Sequence, residues 1–261
     1  MGHRLLVMGV VGFWLLMTAS LVRKWLVEVR PECLPGTYRS VLTPERQNYQ
    51  SRMGIFYETP DGRRRVGYTE TVFLYRQDGR ATITNTTRIT KPIGGPLHRL
   101  LKFDLHSSVV VSRERELRRV RFVLDSPVGR AECRGEVAGG MLVLDVNAWG
   151  ERASYHLPLP PGGMVGAGLS PLVALPPLRV GLRWRVAVLS PLSFAPVEVE
   201  LEVLRRERIT WRGKEVETHV VEIHTGPFTT HAWVSPDGEV LVEKTPFNLV
   251  LVKEPVPEVE D

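Results

Sequence analysis

The chain has 261 residues, of which 43% are hydrophobic and 24% are charged, and this composition excludes a disordered chain because it provides the apolar side chains of a core. Lysine and arginine residues outnumber aspartate and glutamate residues by 34 to 29, so the net charge is only +5. Most of the arginines alternate with glutamates instead of forming a basic stripe, so we expect no nucleic-acid partner.

The first predicted element is an apolar helix from Leu5 to Val22, which contains no charged residue. A helix of that length rises about 27 Å, which is close to the thickness of the hydrocarbon core of a bilayer. We therefore expect residues 1–28 to be a membrane anchor, with the membrane as a partner through residues 5–22. Cleavage as a signal peptide stays open, because Thr18-Ala19-Ser20 offers small residues at a possible cleavage site.

The orientation of this segment is not decided by its flanking charges. Arg23-Lys24 favours a cytoplasmic location for the residues that follow, whereas a β-rich remainder is typical of an exported domain. We expect the bulk of the chain to be exported and periplasmic or extracytoplasmic. Residues 29–50 are predicted to be a polar connector, since they contain Pro31, Pro35 and Pro44.

From residue 51 onward, short runs of β-branched and aromatic residues alternate with polar residues and end at turn sequences. The clearest turns are Asp78-Gly79, Gly139-Gly140 and Pro236-Asp237-Gly238. The runs predict strands at 54–58, 65–76, 81–89, 102–112, 117–124, 129–137, 141–146, 152–159, 182–189, 197–208, 209–211, 216–225, 228–234, 240–245 and 249–253.

The predicted fold is all-β: one domain over residues 51–254, built as a large curved antiparallel sheet that resembles half of a barrel. A flexible tail is expected at residues 255–261. The segment from Leu157 to Leu178 is rich in proline and glycine and is predicted to cover the concave face of the sheet. Its apolar residues are the candidate ligand-binding set: Met164, Val165, Leu169, Leu172, Val173 and Leu175.

Two interpretations of this covering segment remain open. It is either a lid over an apolar groove for an acyl chain or similar ligand, or a plug that completes an ordinary core. Both place the same apolar side chains against the sheet, because leaving them in water would create a large exposed apolar patch.

The chain contains no phosphate-binding loop, dinucleotide fingerprint, zinc helix or nucleophile elbow, so we predict no enzyme and no cofactor. Glu222 and His224 share a strand face by their spacing, and the Gly226-Pro227 turn could bring His231 opposite His224. These three residues suit either a metal ion or exposed polar positions of a hairpin, and we favour the second and predict no metal site.

The two cysteines, Cys33 and Cys133, are either a disulfide in an oxidising compartment or two thiols. We favour thiols, and we predict that Cys133 performs no chemistry. Asn85-Thr86-Thr87 matches a glycosylation acceptor, although a threonine-rich strand also explains this triplet.

Three stretches carry a resemblance to a known family. The first is Met53-Gly54-Ile55-Phe56 with Arg65-Val66-Gly67-Tyr68; the second is Leu175-Pro176-Pro177-Leu178 through Val180-Gly181, Trp184 and Ser190-Pro191-Leu192-Ser193; the third is Ala232-Trp233-Val234 with Asp237-Gly238-Glu239-Val240-Leu241 and the closing Thr245-Pro246 to Lys253-Glu254. They resemble an uncharacterised bacterial envelope domain that often precedes transglutaminase-like domains. The resemblance implies a non-catalytic β-domain, and no catalytic residue is carried over. The curved-sheet pattern is also similar, at the level of fold, to lipoprotein-carrier half-barrels.

The sequence therefore predicts a membrane-tethered, non-enzymatic envelope binding module, possible partners being a lipid or an envelope protein. The alternative is a structural or scaffolding partner of a separate envelope protein, such as a transglutaminase-like enzyme.

Overall fold

The computed structural model describes residues 49–91, 102–148, 150–158, 164–166, 175, 178–190 and 195–256. These residues form strands and turns, which confirms the all-β prediction. The strands are β1 (Gln50–Thr59), β2 (Gly62–Tyr75), β3 (Ala81–Ile89), β4 (Phe103–Val111), β5 (Leu117–Ser126), β6 (Gly129–Ala138), β7 (Met141–Ala148), β8 (Glu151–Pro158), β9 (Met164–Val165), β10 (Arg183–Ser190), β11 (Ala195–Trp211), β12 (Lys214–Thr225), β13 (Phe228–Val234), β14 (Val240–Lys244) and β15 (Leu249–Glu254).

The predicted anchor at Leu5–Val22 lies outside the described residues, as do most of the connector and the tail beyond Val256. Within the ranges given above, no helix has the length and the hydropathy needed to cross a membrane.

All the strands belong to one 15-stranded sheet, in the order β8-β7-β6-β5-β4-β3-β2-β1-β15-β14-β13-β12-β11-β10-β9. The first and last strands pair at the centre, with Ile55 opposite Leu251, and we call this pairing the seam. A first wing, β2 to β8, extends from the seam on one side, and a second wing, β14 back to β9, extends on the other. Each wing is a meander in which sequence neighbours pair, because short turns connect them.

One pairing differs from the predicted antiparallel sheet. β9, which lies inside the covering segment, runs parallel to β10, with Met164 opposite Val188. The sheet is therefore mixed, and the prediction of a purely antiparallel sheet is wrong at this edge. The 17 residues between β9 and β10 in the sequence are long enough for the crossover connection that two parallel neighbours need.

The sheet curves until its wings meet across one face, which we call the inner face. Phe122 of β5 and Leu201 of β11 belong to one buried apolar cluster, although eight strands lie between β5 and β11 in the sheet. A flat sheet would separate these strands by roughly 45 Å at about 4.8 Å per strand. The buried members of this wing cluster come from β2 to β7 and from β9 to β13, together with Leu175, and none comes from β1, β14 or β15.

A second apolar cluster lies on both sides of the seam. This seam cluster consists of Met53, Ile55, Val66, Ile89, Leu249 and Leu251. The inner face thus has two buried apolar regions, one shared by the wings and one at the central strands.

The outer face carries paired charges that explain the alternation of arginine with glutamate in the sequence. Arg119 contacts Glu136 at 2.9 Å, and Arg183 contacts Glu202 at 2.7 Å, each pair joining neighbouring strands. Exposed ion pairs of this kind contribute about 0–1 kcal/mol each, so they favour solubility more than stability.

Candidate functional site

A belt of polar side chains lies on the inner face between the two apolar clusters. It consists of Thr69 and Thr71 of β2 and Asn85 and Thr87 of β3, and we call these residues the inner belt. Thr69 lies opposite Thr87 and Thr71 lies opposite Asn85 in the register of the two strands. All are buried except Thr71, which is half-buried. Because alternate residues of a strand share a face, the pattern Ala-Ile-Asn-Thr-Ile at positions 81, 83, 85, 87 and 89 places the belt there.

The inner belt forms a closed ring of hydrogen bonds. The Asn85 amide donates to the Thr69 hydroxyl at 3.0 Å and to the Thr71 hydroxyl at 2.8 Å. The Thr87 hydroxyl donates to Asn85 Oδ1 at 3.0 Å. Since Thr87 has only one hydroxyl proton, Thr69 must be the donor in the 2.8 Å bond between the Thr69 and Thr87 hydroxyls.

This ring leaves one donor unused, the hydroxyl proton of Thr71, whose oxygen accepts from Asn85. Every other proton of these side chains is committed within the ring. The belt is therefore neutral and internally satisfied, as buried polar groups must be, and Thr71 offers a donor at its half-buried edge.

Two ionisable side chains are also buried at this face. His219 of β12 lies opposite Val234 of β13, and neither of its ring nitrogens has a hydrogen-bond partner among the described residues. Glu243 of β14 is fully buried opposite Leu251 of β15. The inner face therefore combines apolar surface with polar groups, which is unlike a purely hydrocarbon core.

The covering segment meets the wing cluster at three of the predicted ligand-binding residues. Met164, Val165 and Leu175 are buried members of that cluster. The Gly166 amide donates to the Leu189 carbonyl at 3.0 Å, which fastens the segment to β10. The other three predicted residues, Leu169, Leu172 and Val173, lie outside the described residues. Both a lid and a plug would bury Met164, Val165 and Leu175, so their burial does not distinguish the two interpretations.

A second polar cluster lies on the outer face of the β12–β13 hairpin, and we call it the outer cluster. His224 Nε2 lies 2.9 Å from Glu222 Oε1, and His231 Nε2 lies 3.1 Å from Glu222 Oε2. Thr229 Oγ1 lies 3.1 Å from His224 Nδ1. The register places His231 opposite Glu222 and Thr229 opposite His224, so the predicted pairing of His231 with His224 is wrong by two residues.

The geometry of the outer cluster does not suit a metal ion. Each imidazole uses its Nε2 on a different oxygen of the Glu222 carboxylate, so the three groups do not converge on a point. In the part of the chain that the structure describes, no group of three histidine, cysteine or acidic residues is able to hold a metal ion. Neutral His224 donates from Nε2 and accepts the Thr229 hydroxyl at Nδ1.

The Cys133 side chain lies on the inner face opposite Phe122 and is buried as a free thiol. Burial, with a smaller effect of the Asp145 charge, raises the pKa of this thiol to about 12. The thiolate is the reactive form of cysteine, and burial disfavours that form for Cys133. Cys33, the partner in the disulfide that the sequence left open, lies outside the described residues.

Sequence reasoning missed the inner belt, although it favoured a threonine-rich strand as the explanation of the Asn85 triplet. The amide of Asn85 is buried and donates to two threonines. A glycan acceptor must be accessible, so the folded domain does not present this site. The available signal was the polar pair Asn85 and Thr87 at inward positions of a strand that otherwise carries apolar residues there.

No family model matches the chain, so its resemblance to the domain that precedes transglutaminase-like domains stays a prediction. No curated protein matches it either. Two solved structures are similar in outline. One is a β-barrel-like protein of the domain of unknown function DUF1849 from Brucella abortus, 9% identical, with a TM-score of 0.49 over 79% of this chain and 95% of that chain. The other is a DUF1089 family protein from Pseudomonas aeruginosa, 14% identical, with a TM-score of 0.35 over 66% of this chain and 87% of that chain. At these TM-scores neither likeness identifies a family or a function.

Proposed function

We propose that this chain is a membrane-tethered, non-enzymatic binding module of the envelope, and that its inner face accepts an apolar ligand such as an acyl chain. The carrying observation is the packing of Met164, Val165 and Leu175 into the wing cluster. Three residues of a segment that is rich in proline and glycine are thus buried against an apolar cluster that is built from both wings. Displacement of these side chains would expose a continuous apolar surface to an acyl chain.

The inner belt narrows the class of ligand. An acyl chain has no hydrogen-bonding groups, whereas Thr71 and His219 offer such groups on the same face. A lipid with an uncharged polar part, such as an ester or a hydroxyl group, would match this combination. Apolar contacts supply most of the affinity in such sites, and a few placed polar groups fix the orientation of the ligand.

The proposal of a non-enzymatic role is supported by the environments of the side chains that are candidates for catalysis. Cys133, the buried thiol, is protonated at neutral pH, because its pKa is raised to about 12. The outer cluster holds Thr229 against His224, but both lie on the outer face and away from the apolar clusters. The membrane tether and the exported location rest on the apolar segment from Leu5 to Val22.

Hydrogen exchange on the full chain tests the ligand. The protein is placed in phosphatidylcholine nanodiscs, and amide exchange at residues 164–166 is compared with exchange in β10. We expect residues 164–166 to exchange faster than β10 and to slow down when palmitic acid is added, because a lid opens more readily than a paired strand. Protection equal to that of β10, with no lipid in an organic extract of the protein, would assign the segment as a plug and remove the ligand.

A matched pair of substitutions tests the polar part of the site. Thr71→Val removes the unused donor of the inner belt, whereas Thr86→Val changes a half-buried threonine on the opposite face of the sheet. We expect Thr71→Val to weaken the binding of monopalmitoyl glycerol about fivefold, which corresponds to the loss of one hydrogen bond of about 1 kcal/mol. Thr86→Val should leave the affinity unchanged. Equal affinities for both variants would show that the belt does not contact the ligand.

One observation favours the structural alternative. β8 is an edge of the sheet, and Tyr155 and nearly all of its other side chains are exposed. Edge strands present unpaired backbone groups, to which an extended segment of another protein can add as a further strand. We propose as the second candidate that an envelope protein pairs with β8. A photo-crosslinking residue at Tyr155 should then capture a protein from the envelope, whereas one at Leu74 on β2 should not.

A further inference from the structure

Three turns at one end of the sheet carry an exposed apolar residue. The turns β5–β6, β12–β13 and β14–β15 lie at this end, because β1 and β15 are antiparallel and Tyr57 near the end of β1 lies opposite Leu249 at the start of β15. The β1–β2 turn, Pro60-Asp61-Gly62, lies at the same end and is polar. At this end an exposed apolar residue directly follows a proline in Pro127-Val128, Pro227-Phe228 and Pro246-Phe247. We call it the apolar end.

The turns at the opposite end carry charges and glycines. They contain Asp78-Gly79, Arg113-Glu114-Arg115, Gly139-Gly140, Arg212-Gly213 and Asp237-Gly238. The exposed fractions at the apolar end are 56% for Val128, 45% for Phe228 and 59% for Phe247. The sequence repeats the proline-apolar pair at Pro92-Ile93 and Pro191-Leu192, which lie outside the described residues.

The two exposed phenylalanines form a pair that continues the inner face to its rim. The rings of Phe228 and Phe247 lie 5.0 Å apart, although they belong to different turns. Leu249, two residues after Phe247, is buried in the seam cluster. With only Asn248 between Phe247 and Leu249, the exposed turn therefore leads within two residues to the buried start of β15.

We propose that the apolar end docks on a lipid bilayer, with Phe228, Phe247 and Val128 inserted among the lipids. Val128 lies on the first wing and the two phenylalanines lie on the second, so the tips are separate projections and not one patch. A fluid apolar phase receives separate projections without fitted pockets, whereas a protein partner needs complementary shape at each of them. This inference rests on the proposed membrane tether.

The charges beside the tips favour anionic head groups. Arg130 follows Val128 by two residues, and Lys244 precedes Phe247 by three. Lys244 is exposed, and Arg130 has one acidic neighbour, Asp125, at 3.6 Å. Basic side chains that flank inserted apolar residues contact anionic lipids at the level of the head groups. A ligand drawn from the bilayer would then enter at the rim where Phe247 leads to Leu249.

Spin labels test the docking in the full chain, reconstituted in vesicles of phosphatidylcholine and phosphatidylglycerol. In a Cys33→Ser background, single labels are placed with Val128→Cys, Phe228→Cys and Phe247→Cys. Leu74→Cys and Val180→Cys are the controls, because these residues are 48% and 52% exposed and lie away from the apolar end. Cys133 stays unlabelled, because it is buried.

Oxygen concentrates in lipid, whereas a nickel chelate stays in water. We expect oxygen to relax the three tip labels more strongly than the chelate does. At both control labels we expect the chelate to have the stronger effect. Equal access of the chelate to all labels would overturn the proposal. Tip labels shielded from both reagents would indicate a protein partner, which also overturns it. Phe247→Trp gives a second readout with little change of shape: brominated lipid should quench the added fluorescence.

The same vesicles separate this inference from the ligand. Tip labels in lipid without any effect of palmitic acid on exchange at residues 164–166 would keep the docking and remove the ligand. Slowed exchange with water-exposed tip labels would keep the ligand and remove the docking.

Discussion

The inner belt and the outer cluster are built in the same way but from different chemistry. Each joins neighbouring antiparallel strands through side chains that lie opposite one another. The inner belt uses hydroxyl and amide groups only, closed into a ring around Asn85. The outer cluster uses one carboxylate, Glu222, between two imidazoles that are 42% and 40% exposed.

This difference shows how burial selects the polar groups of a sheet. A charge that is removed from water costs several kcal/mol unless it is well paired, whereas neutral groups need only complete their hydrogen bonds. Water compensates charges on the outer face, so ionisable groups are tolerated there at little cost. The inner face does not exclude ionisable groups altogether, since Glu243 is fully buried there.

The largest expected effect concerns the rate at which the Cys133 thiol is labelled. This rate reports how strongly the inner face disfavours a charged side chain. Burial raises its pKa to about 12 from 9.0, so the folded state holds the proton up to a higher pH than the unfolded state does. In a Cys33→Ser variant at pH 8, we expect a disulfide reagent to label the native protein roughly a thousandfold more slowly than the urea-unfolded protein. Fast labelling of the native protein would show that water reaches the inner face at Cys133.

Asn85→Leu breaks the inner belt at its centre. The Thr69 and Thr71 hydroxyls each lose a donor and the Thr87 hydroxyl loses its acceptor, so we expect a loss of about 2–4 kcal/mol in the free energy of unfolding. Denaturant titration measures this change. The control is Asn147→Leu on β7, where the side chain is exposed and the expected change lies within about 0.5 kcal/mol. Equal effects of both substitutions would contradict the role of the ring.

Thr69→Val and Thr87→Val sharpen the comparison by removing one hydroxyl at a time. Each single variant should lose about 1–2 kcal/mol, because a buried partner is left without its hydrogen bond. The double variant should lose less than the sum, since the two hydroxyls bond to each other at 2.8 Å. Strictly additive losses in a double-mutant cycle would show that the two groups act independently.

Glu222→Gln should have the smallest effect, although it removes the charge at the centre of the outer cluster. Exposed pairs contribute about 0–1 kcal/mol, so we expect a loss below 1 kcal/mol at low salt and a smaller one at high salt. Thr229→Val, which keeps the contacts between the carboxylate and the imidazoles, is the control and should show no salt dependence. A loss as large as that of Asn85→Leu would remove the distinction between the two faces.

Most of the fold was predictable because its signals are local. Period-two alternation and turn residues identified β3 with its observed bounds, Ala81–Ile89, and located the neighbouring strands of the meander. β9 was missed because two residues, Met164 and Val165, are too short to show a period. The predicted strands at 197–208 and 209–211 are one strand, β11, with an irregular register between Val203 and Arg205.

The candidate site was less predictable because it depends on register between strands. The spacing of Glu222 and His224 located the outer cluster in the sequence. The register of the hairpin, which its turn sets, places His231 opposite Glu222 and not opposite His224. The inner belt needs β2 and β3 to pair so that Thr69 lies opposite Thr87, and nothing within either strand specifies this.

The seam also sets the order in which the chain can fold. Tyr49 accepts a hydrogen bond at 3.0 Å from Lys253, which lies 204 positions later in the sequence, while each wing pairs only sequence neighbours. The wings can form as local meanders during synthesis, but β1 must wait for β15, which is made after all the other described strands. Until then β1 exposes an unpaired edge, so the seam is both the slowest contact to form and the point at which nascent chains are most open to mispairing.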